Sequence, residues 1–152
     1  MPEASLLMAF WLIKSEPESF SWERQVAHGT EPWTGVRNYQ ARNNLAAMRP
    51  GDRAFFYHSV SEKRIVGIVE VVRAAYPDPT APEGSGWVCP DVRTVGPMPH
   101  PVSLAEIKAE PALADFALIR QSRLSVVPVT AAQWARLCAM GGWSGSEGGG
   151  EA

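Results

Sequence analysis

Between Pro32 and Asn43 the chain packs Trp33, Tyr39, Arg37, Arg42, Asn38, Asn43 and Gln40 into twelve positions, with no carboxylate among them. Aromatic faces stack on heterocycles, while amides and guanidiniums present fixed fans of hydrogen-bonding groups. That combination suits a flat, polar ring such as a nucleobase. Gly35, just ahead of the polar run, would let the backbone approach a bound molecule. The competing reading is structural: a surface helix with Trp33 plugged into the core beneath it.

A second chemistry is conceivable. His58, Ser59 and Asp78, with Ser15 and Glu16, could be drawn as a hydrolytic set. The chain has no nucleophile elbow, metal-spaced His/Asp cluster or phosphate-cradling glycine loop to support it. His58 and Ser59 are adjacent at a strand end, so their side chains start on opposite faces. A docking module working through the Pro-rich loop is a third and thinner reading. No catalytic residue, cofactor or metal is therefore expected.

The elements that must position these groups belong to an ordinary globular chain of 152 residues, 45% hydrophobic and 20% charged. One domain is expected over residues 9–141, with a loose arm at 1–8 and a disordered Gly/Ser-rich tail at 142–152. A net charge of −2 argues against wrapping long duplexes by phosphate neutralisation alone. Yet seven basic residues face only three acids between Arg37 and Arg73, which suggests a basic rim around one pocket. No apolar run is long enough to cross a bilayer, so no membrane partner is expected. Cys89 and Cys138 stand apart without ligand spacing, which points to a reducing compartment and a cytoplasmic location. A monomer is expected.

Apolar runs predict strands at 9–13, 53–58, 65–72, 87–95 and 124–129. Gly67 within the third marks a bulge or a close backbone approach. Ser19 or Ser21 can cap a short helix ending near His28 and Gly29; His28 reads as a helix-end cation or surface residue. A helix from Asn38 to Met48 would bury Ala41, Leu45 and Met48, set Asn38 and Arg42 at its border, and turn Gln40, Asn44 and Ala47 to solvent. Residues 97–101 read as an extended connector. Capping boxes at Ser103/Glu106 and Thr130/Gln133 predict two further helices, the second burying Trp134, Leu137 and Cys138. The sum is α+β: a strongly bent, partly closed β-barrel with short helices in the connections.

With these blocks laid out, the chain resembles the EVE-domain family. The likeness is carried by Trp11-Leu12-Ile13-Lys14-Ser15-Glu16-Pro17, by Trp33 to Asn43, by Gly51-Asp52 through Ser59, and by Gly67-Ile68. Ala75 to Thr80 and Ser122 to Val129 complete it, so that it spans roughly Phe10 to Gly141. The resemblance implies a PUA-like pseudo-barrel related to YTH domains, with a pocket for a single modified nucleobase in DNA or RNA. It implies that Lys14, Ser15, Glu16, Trp33, Val36, Arg37, Asn38, Tyr39 and Asn43 surround that pocket. His58, Ser59, Tyr76, Asp78, Ser122, Arg123 and Leu124 would complete it. On this reading Trp33 or Tyr39 stacks on the base, Asn38, Asn43 and Ser122 read its edge, and Val36 and Leu124 receive a methyl or hydroxymethyl mark. Arg37 and Arg123 would hold a phosphate or the Glu16 carboxylate. The loop after Thr80 is shorter and less basic than is usual in the family, which argues against phosphate contacts from it.

Overall fold

Alternating and continuous apolar runs separated by Pro- and Gly-rich turns commit this chain to strands first, with helices filling the gaps. The computed structural model describes residues 8–144. Strand β1 (Phe10–Ser15) lies at the heart of the assembly, its Trp11, Leu12 and Ile13 buried. It runs parallel to β3 (Arg53–His58), Leu12 opposite Phe55, and antiparallel to β6 (Val126–Val129), Leu12 opposite Val127. Strand β4 (Arg64–Pro77) pairs with β3 and with the long β5 (Val88–Ser103), whose other side carries the short β2 (Thr30–Pro32). The order is β2-β5-β4-β3-β1-β6, a six-stranded sheet that does not close.

The bend comes from β4 and β5. Their register shifts at four places, between Ile65/Gly67, Ile68/Val69, Val71/Arg73 and Arg73/Tyr76. Each irregularity bends and twists the ribbon locally. Both strands outrun the apolar runs that predict them, so residues 97–101 are strand rather than connector. The physical reason is positional. Pro97, Pro99 and Pro101 fall at alternate positions, so their missing N–H groups share one side, and β2 covers only Asp91 to Arg93 of that strand. Gly67 is the close approach its sequence suggested: a Cβ there would run into the Trp22 ring.

Among the described residues, five α-helices close the connections. Helix α1 (Trp22–His28) is capped by the Ser21 side chain, and α2 (Tyr39–Ala47) by Asn38. Helix α2 buries Ala41 and Leu45, as periodicity requires. Its Asn44 does not face solvent: the amide donates to the Val126 carbonyl at 2.8 Å, tying α2 to β6. Helices α3 (Leu104–Ala109) and α5 (Ala131–Gly141) both start from complete capping boxes. A 3₁₀ turn (Pro111–Leu113) and α4 (Ala117–Arg120) lie between them. The Trp134 ring of α5 stacks on Phe10 and on Phe55, 4.5 and 3.9 Å between centroids. Trp143, placed in the tail by composition, packs against Gly96 just after Gly142 ends α5 in a left-handed cap. The expected arm before Met8 and the rest of the tail lie outside the described residues. No helix among those described is long and apolar enough to cross a membrane.

Candidate nucleic-acid interface

The parallel pairing of β1 and β3 brings two strand ends together, Ser15 opposite His58. The next residue, Ser59, donates its N–H to the Ser15 carbonyl at 2.9 Å. From the other side, the loop before β6 is fastened to β1. Lys14 donates its N–H to the Ser125 carbonyl and its Nζ to the Ser122 carbonyl, at 3.0 and 2.9 Å. Where these ends converge lies a cleft of about 640 Å³, lined by Lys14, Ser15, Glu16, Ser59, Ser122 and Arg123 of the expected set. Burial lowers the Lys14 ammonium below the usual lysine range and pushes the Tyr57 phenol, also on the wall, up to about 12.

The remaining wall could not be read from local sequence. The Leu104 N–H donates to the Lys63 carbonyl at 2.9 Å, which seats the start of α3 on the hairpin loop and brings Lys63 and Lys108 to the same cleft. Among the described residues, Lys63, Lys108 and Arg123 have no carboxylate partner, and Glu16 is the one acid lining the cleft. Leu104, Leu118 and Val60 supply apolar surface. Val60 sits at φ 71° and is 62% exposed. A β-branched residue in the left-handed region costs about 1–3 kcal/mol, a strain that tends to gather at functional loops.

A second groove of about 370 Å³ adjoins the first through Ser122 and Arg123, and is lined also by Asn38, Gln40 and Leu124. Asn38 is partly committed: its Oδ1 accepts the Ala41 N–H at 2.9 Å to cap α2. The Asn43 Oδ1 likewise accepts from Arg42 Nε at 3.0 Å. Each Oδ1 keeps a second lone pair beyond its bond, and each amide also offers its NH₂. Gln40, although exposed, bridges to Gln121 at 2.9 Å.

The other expected residues are placed elsewhere. Trp33 is 7% exposed and packs edge-on against Phe20 and Phe56, 6.0 and 5.5 Å between centroids. It lines neither cleft, and Val36 packs on the core beside it. Arg37 does not meet Glu16. It binds the Asp78 carboxylate at 3.1 Å, and Asp78 also accepts from the Gly35 N–H (2.8 Å) and from the Thr80 N–H and hydroxyl (2.7 Å each). Burial would raise the Asp78 carboxyl, but these bonds outweigh it and hold it at about 2. The N–H of Gly35, at φ 88°, is thus spent on the fold rather than offered to a ligand.

His58 is buried and accepts the Trp22 N–H on Nε2 at 3.0 Å, so its proton sits on Nδ1, which donates to Glu62 at 2.7 Å. That bond is the main cause of the lowered Glu62 carboxyl. The Tyr76 hydroxyl donates to Asp91, which raises the phenol, while Arg73 lies 3.7 Å over its ring. His28 pairs with Glu31 at 2.7 Å, consistent with a surface role. His58 and Asp78 spend their polar atoms on separate partners, so no hydrolytic set with Ser59 is assembled. Tyr39 is the exception among the displaced residues: it stays 68% exposed and stacks on Trp87.

An open, bent α+β sheet with a basic cleft where β1, β3 and the loop before β6 meet defines a PUA-like domain. The chain belongs to the EVE-domain family, whose model matches residues 9–140. Thymocyte nuclear protein 1 of human is 40% identical over 157 residues, covering 82% of this chain and 70% of that protein. The chicken protein of the same name is 38% identical over 84% of this chain, which spans 66% of its length. Among solved structures, a protein of Agrobacterium tumefaciens superposes with a TM-score of 0.89 at 49% identity, covering 94% of this chain and 99% of that one. Human THYN1, solved in complex with 5-methylcytosine-containing DNA, gives 0.81 at 37% identity over 88% of this chain and 97% of that one. A YTH domain from Zygosaccharomyces rouxii, 18% identical with a TM-score of 0.58 over 89% of this chain and 87% of that one, shares the fold. The expectation of a cytoplasmic location is corrected by the nuclear name of these relatives.

Proposed function

We propose that this domain is a non-catalytic nucleic-acid-binding module that takes a single modified base, in DNA or RNA, into the cleft between β1, the Ser59 hairpin loop and the Ser122 loop. One observation carries the reading: four cations without acidic partners, Lys14, Lys63, Lys108 and Arg123, surround a cleft of about 640 Å³ that holds one carboxylate. That volume falls in the usual range of small-molecule pockets, roughly 300–1,000 Å³. Lys63, Lys108 and Arg123 are the phosphate contacts in this reading. The hydroxyls of Ser15, Ser59 and Ser122 and the NH₂ of Asn38 face the polar edge of the base. Leu104, Leu118 and Val60 form the apolar wall against which a methyl group would rest. Trp33 acts from behind. It packs on Phe20, whose carbonyl accepts the Ser15 hydroxyl at 2.6 Å, so the indole positions Ser15 rather than stacking on the ligand.

The family relationship supports the ligand class, since human THYN1 was crystallised with 5-methylcytosine-containing DNA. The test is equilibrium binding of short DNA and RNA strands carrying a panel of modified and unmodified bases. A preference for one modified base, lost in Ser122→Ala combined with Arg123→Gln, is the expected result. Equal affinity for every base, or full retention of the preference in that double variant, overturns the assignment. Release of altered base or nucleotide during the assay would instead mark an enzyme.

A further inference from the structure

Tyr39 is the most exposed large hydrophobic side chain among the described residues, at 68%. Its ring lies nearly parallel to that of Trp87, 24° between planes and 5.0 Å between centroids, so one face is covered and the other is open. Two guanidiniums flank the pair: Arg42 lies 5.3 Å from the Tyr39 centroid and 6.0 Å from that of Trp87, and Arg37 lies 5.8 Å from Trp87. The two charges differ in status. Arg37 is neutralised by Asp78. Arg42 reaches only neutral acceptors, Asn43 Oδ1 at 3.0 Å and the Gly86 carbonyl at 3.2 Å. An unpaired cation thus sits beside an open aromatic face.

This step borders the proposed binding cleft. The chain neighbours of Tyr39, Asn38 and Gln40, line the second groove, and that groove joins the first through Ser122 and Arg123. An open ring offers stacking to any base, because every base has a π-face. The guanidiniums already occupy the cation–π positions around the pair, and their charge repels a cationic ligand. What remains complementary is a flat, neutral ring joined to an anion.

The geometry points to Tyr39 and Trp87 as a stacking step for the nucleotide next to the recognised base, with Arg42 against the intervening phosphate. The inference rests on the base-binding reading and gives it a footprint of more than one nucleotide, single-stranded at this position. An unstacked neighbour is required for Tyr39 to offer its face.

The experiment uses two probes, 5-methyldeoxycytidine monophosphate and a short single strand carrying the same base with 2-aminopurine beside it. The strand should bind wild type more tightly than the mononucleotide does, and its 2-aminopurine fluorescence should fall on binding. Tyr39→Ala should weaken strand binding by roughly five- to 150-fold, the range for one stacked base, and abolish the quenching. Mononucleotide affinity should stay unchanged, and Tyr39→Phe should behave as wild type. Equal losses for both probes would place Tyr39 in the base pocket and overturn the step. So would an unaltered strand affinity in Tyr39→Ala, or a wild type that binds neither probe. Strand binding that depends on Tyr39 but not on the methyl group would uphold the step and sink the modified-base reading instead.

Discussion

Replacing Arg123 by Gln should change the salt dependence of binding more tellingly than the affinity itself. Each cation that neutralises a phosphate releases counterions, and for single strands log K falls with log salt by about 0.7 per contact. The cleft offers Lys63, Lys108 and Arg123 without acidic partners, while Lys14 is engaged by the Ser122 carbonyl. For a strand that ends short of Arg42, three contacts imply a slope of about −2 for wild type, or about 20-fold weaker binding between roughly 50 mM and 200 mM salt. Arg123→Gln should reduce the slope by about 0.7, leaving about a sevenfold loss over the same range. Fluorescence anisotropy of a labelled strand, titrated at several salt concentrations, reads both slopes directly. Because Arg123 is exposed, its loss should leave the melting temperature unaltered and the comparison clean. Parallel lines for wild type and Arg123→Gln would refute the argument, since they would mean that this guanidinium meets no phosphate.

Three further outcomes follow from the packing. Gly67→Ala should cost about 1–3 kcal/mol, lowering the melting temperature by about 2–12 °C, because the new methyl meets the Trp22 ring. In a Trp22→Ala background the same change should cost little, and a calorimetric double-mutant cycle showing simple additivity would contradict this. Asp78, held at about 2 against an unfolded value of 3.8, contributes stability that is complete above about pH 4 and is lost as pH falls toward 2. The gap between wild type and Asp78→Asn, about 2 kcal/mol at neutral pH by urea unfolding, should therefore close across that window; a gap independent of pH would disprove the linkage. Asn38→Ala should cost about 1 kcal/mol through the lost cap, whereas Asn38→Ser should keep the cap and lose only the exposed NH₂. Thermal melts separate the two, and equal melting temperatures would show that the cap contributes nothing.

Much of the framework was legible because the signals were local. Apolar runs gave β1, β3 and the start of β4, both capping boxes formed as written, and periodicity placed Ala41 and Leu45 on the buried side of α2. The extent of β5 was hidden because proline argues against strand unless its position on the sheet is known. The candidate site was half legible. Lys14, Ser15, Ser59, Ser122 and Arg123 do converge, but Lys63 and Lys108 join them only through the docking of α3 on the hairpin loop. Trp33 carried the residue type of a stacking platform, yet only the surrounding Phe20 and Phe56 reveal that its faces are spent. Trp87 read as the first residue of a strand, and nothing near it in sequence signals the Tyr39 ring.

The bond from Lys14 to the Ser122 carbonyl spans 108 residues of chain. Because β6 lies last in the chain, the edge of β1 that it covers has no partner until residues 126–129 are made. The loop 122–125 has no β6 to anchor it before that moment, so on the proposed reading ligand capture is among the last abilities the domain acquires. Contacts of such sequence separation also slow folding, since a long loop must close before they form. A chain stopped ahead of Val126 would retain most of its strands and still be unable to bind, which makes binding a sensitive report of a completed fold.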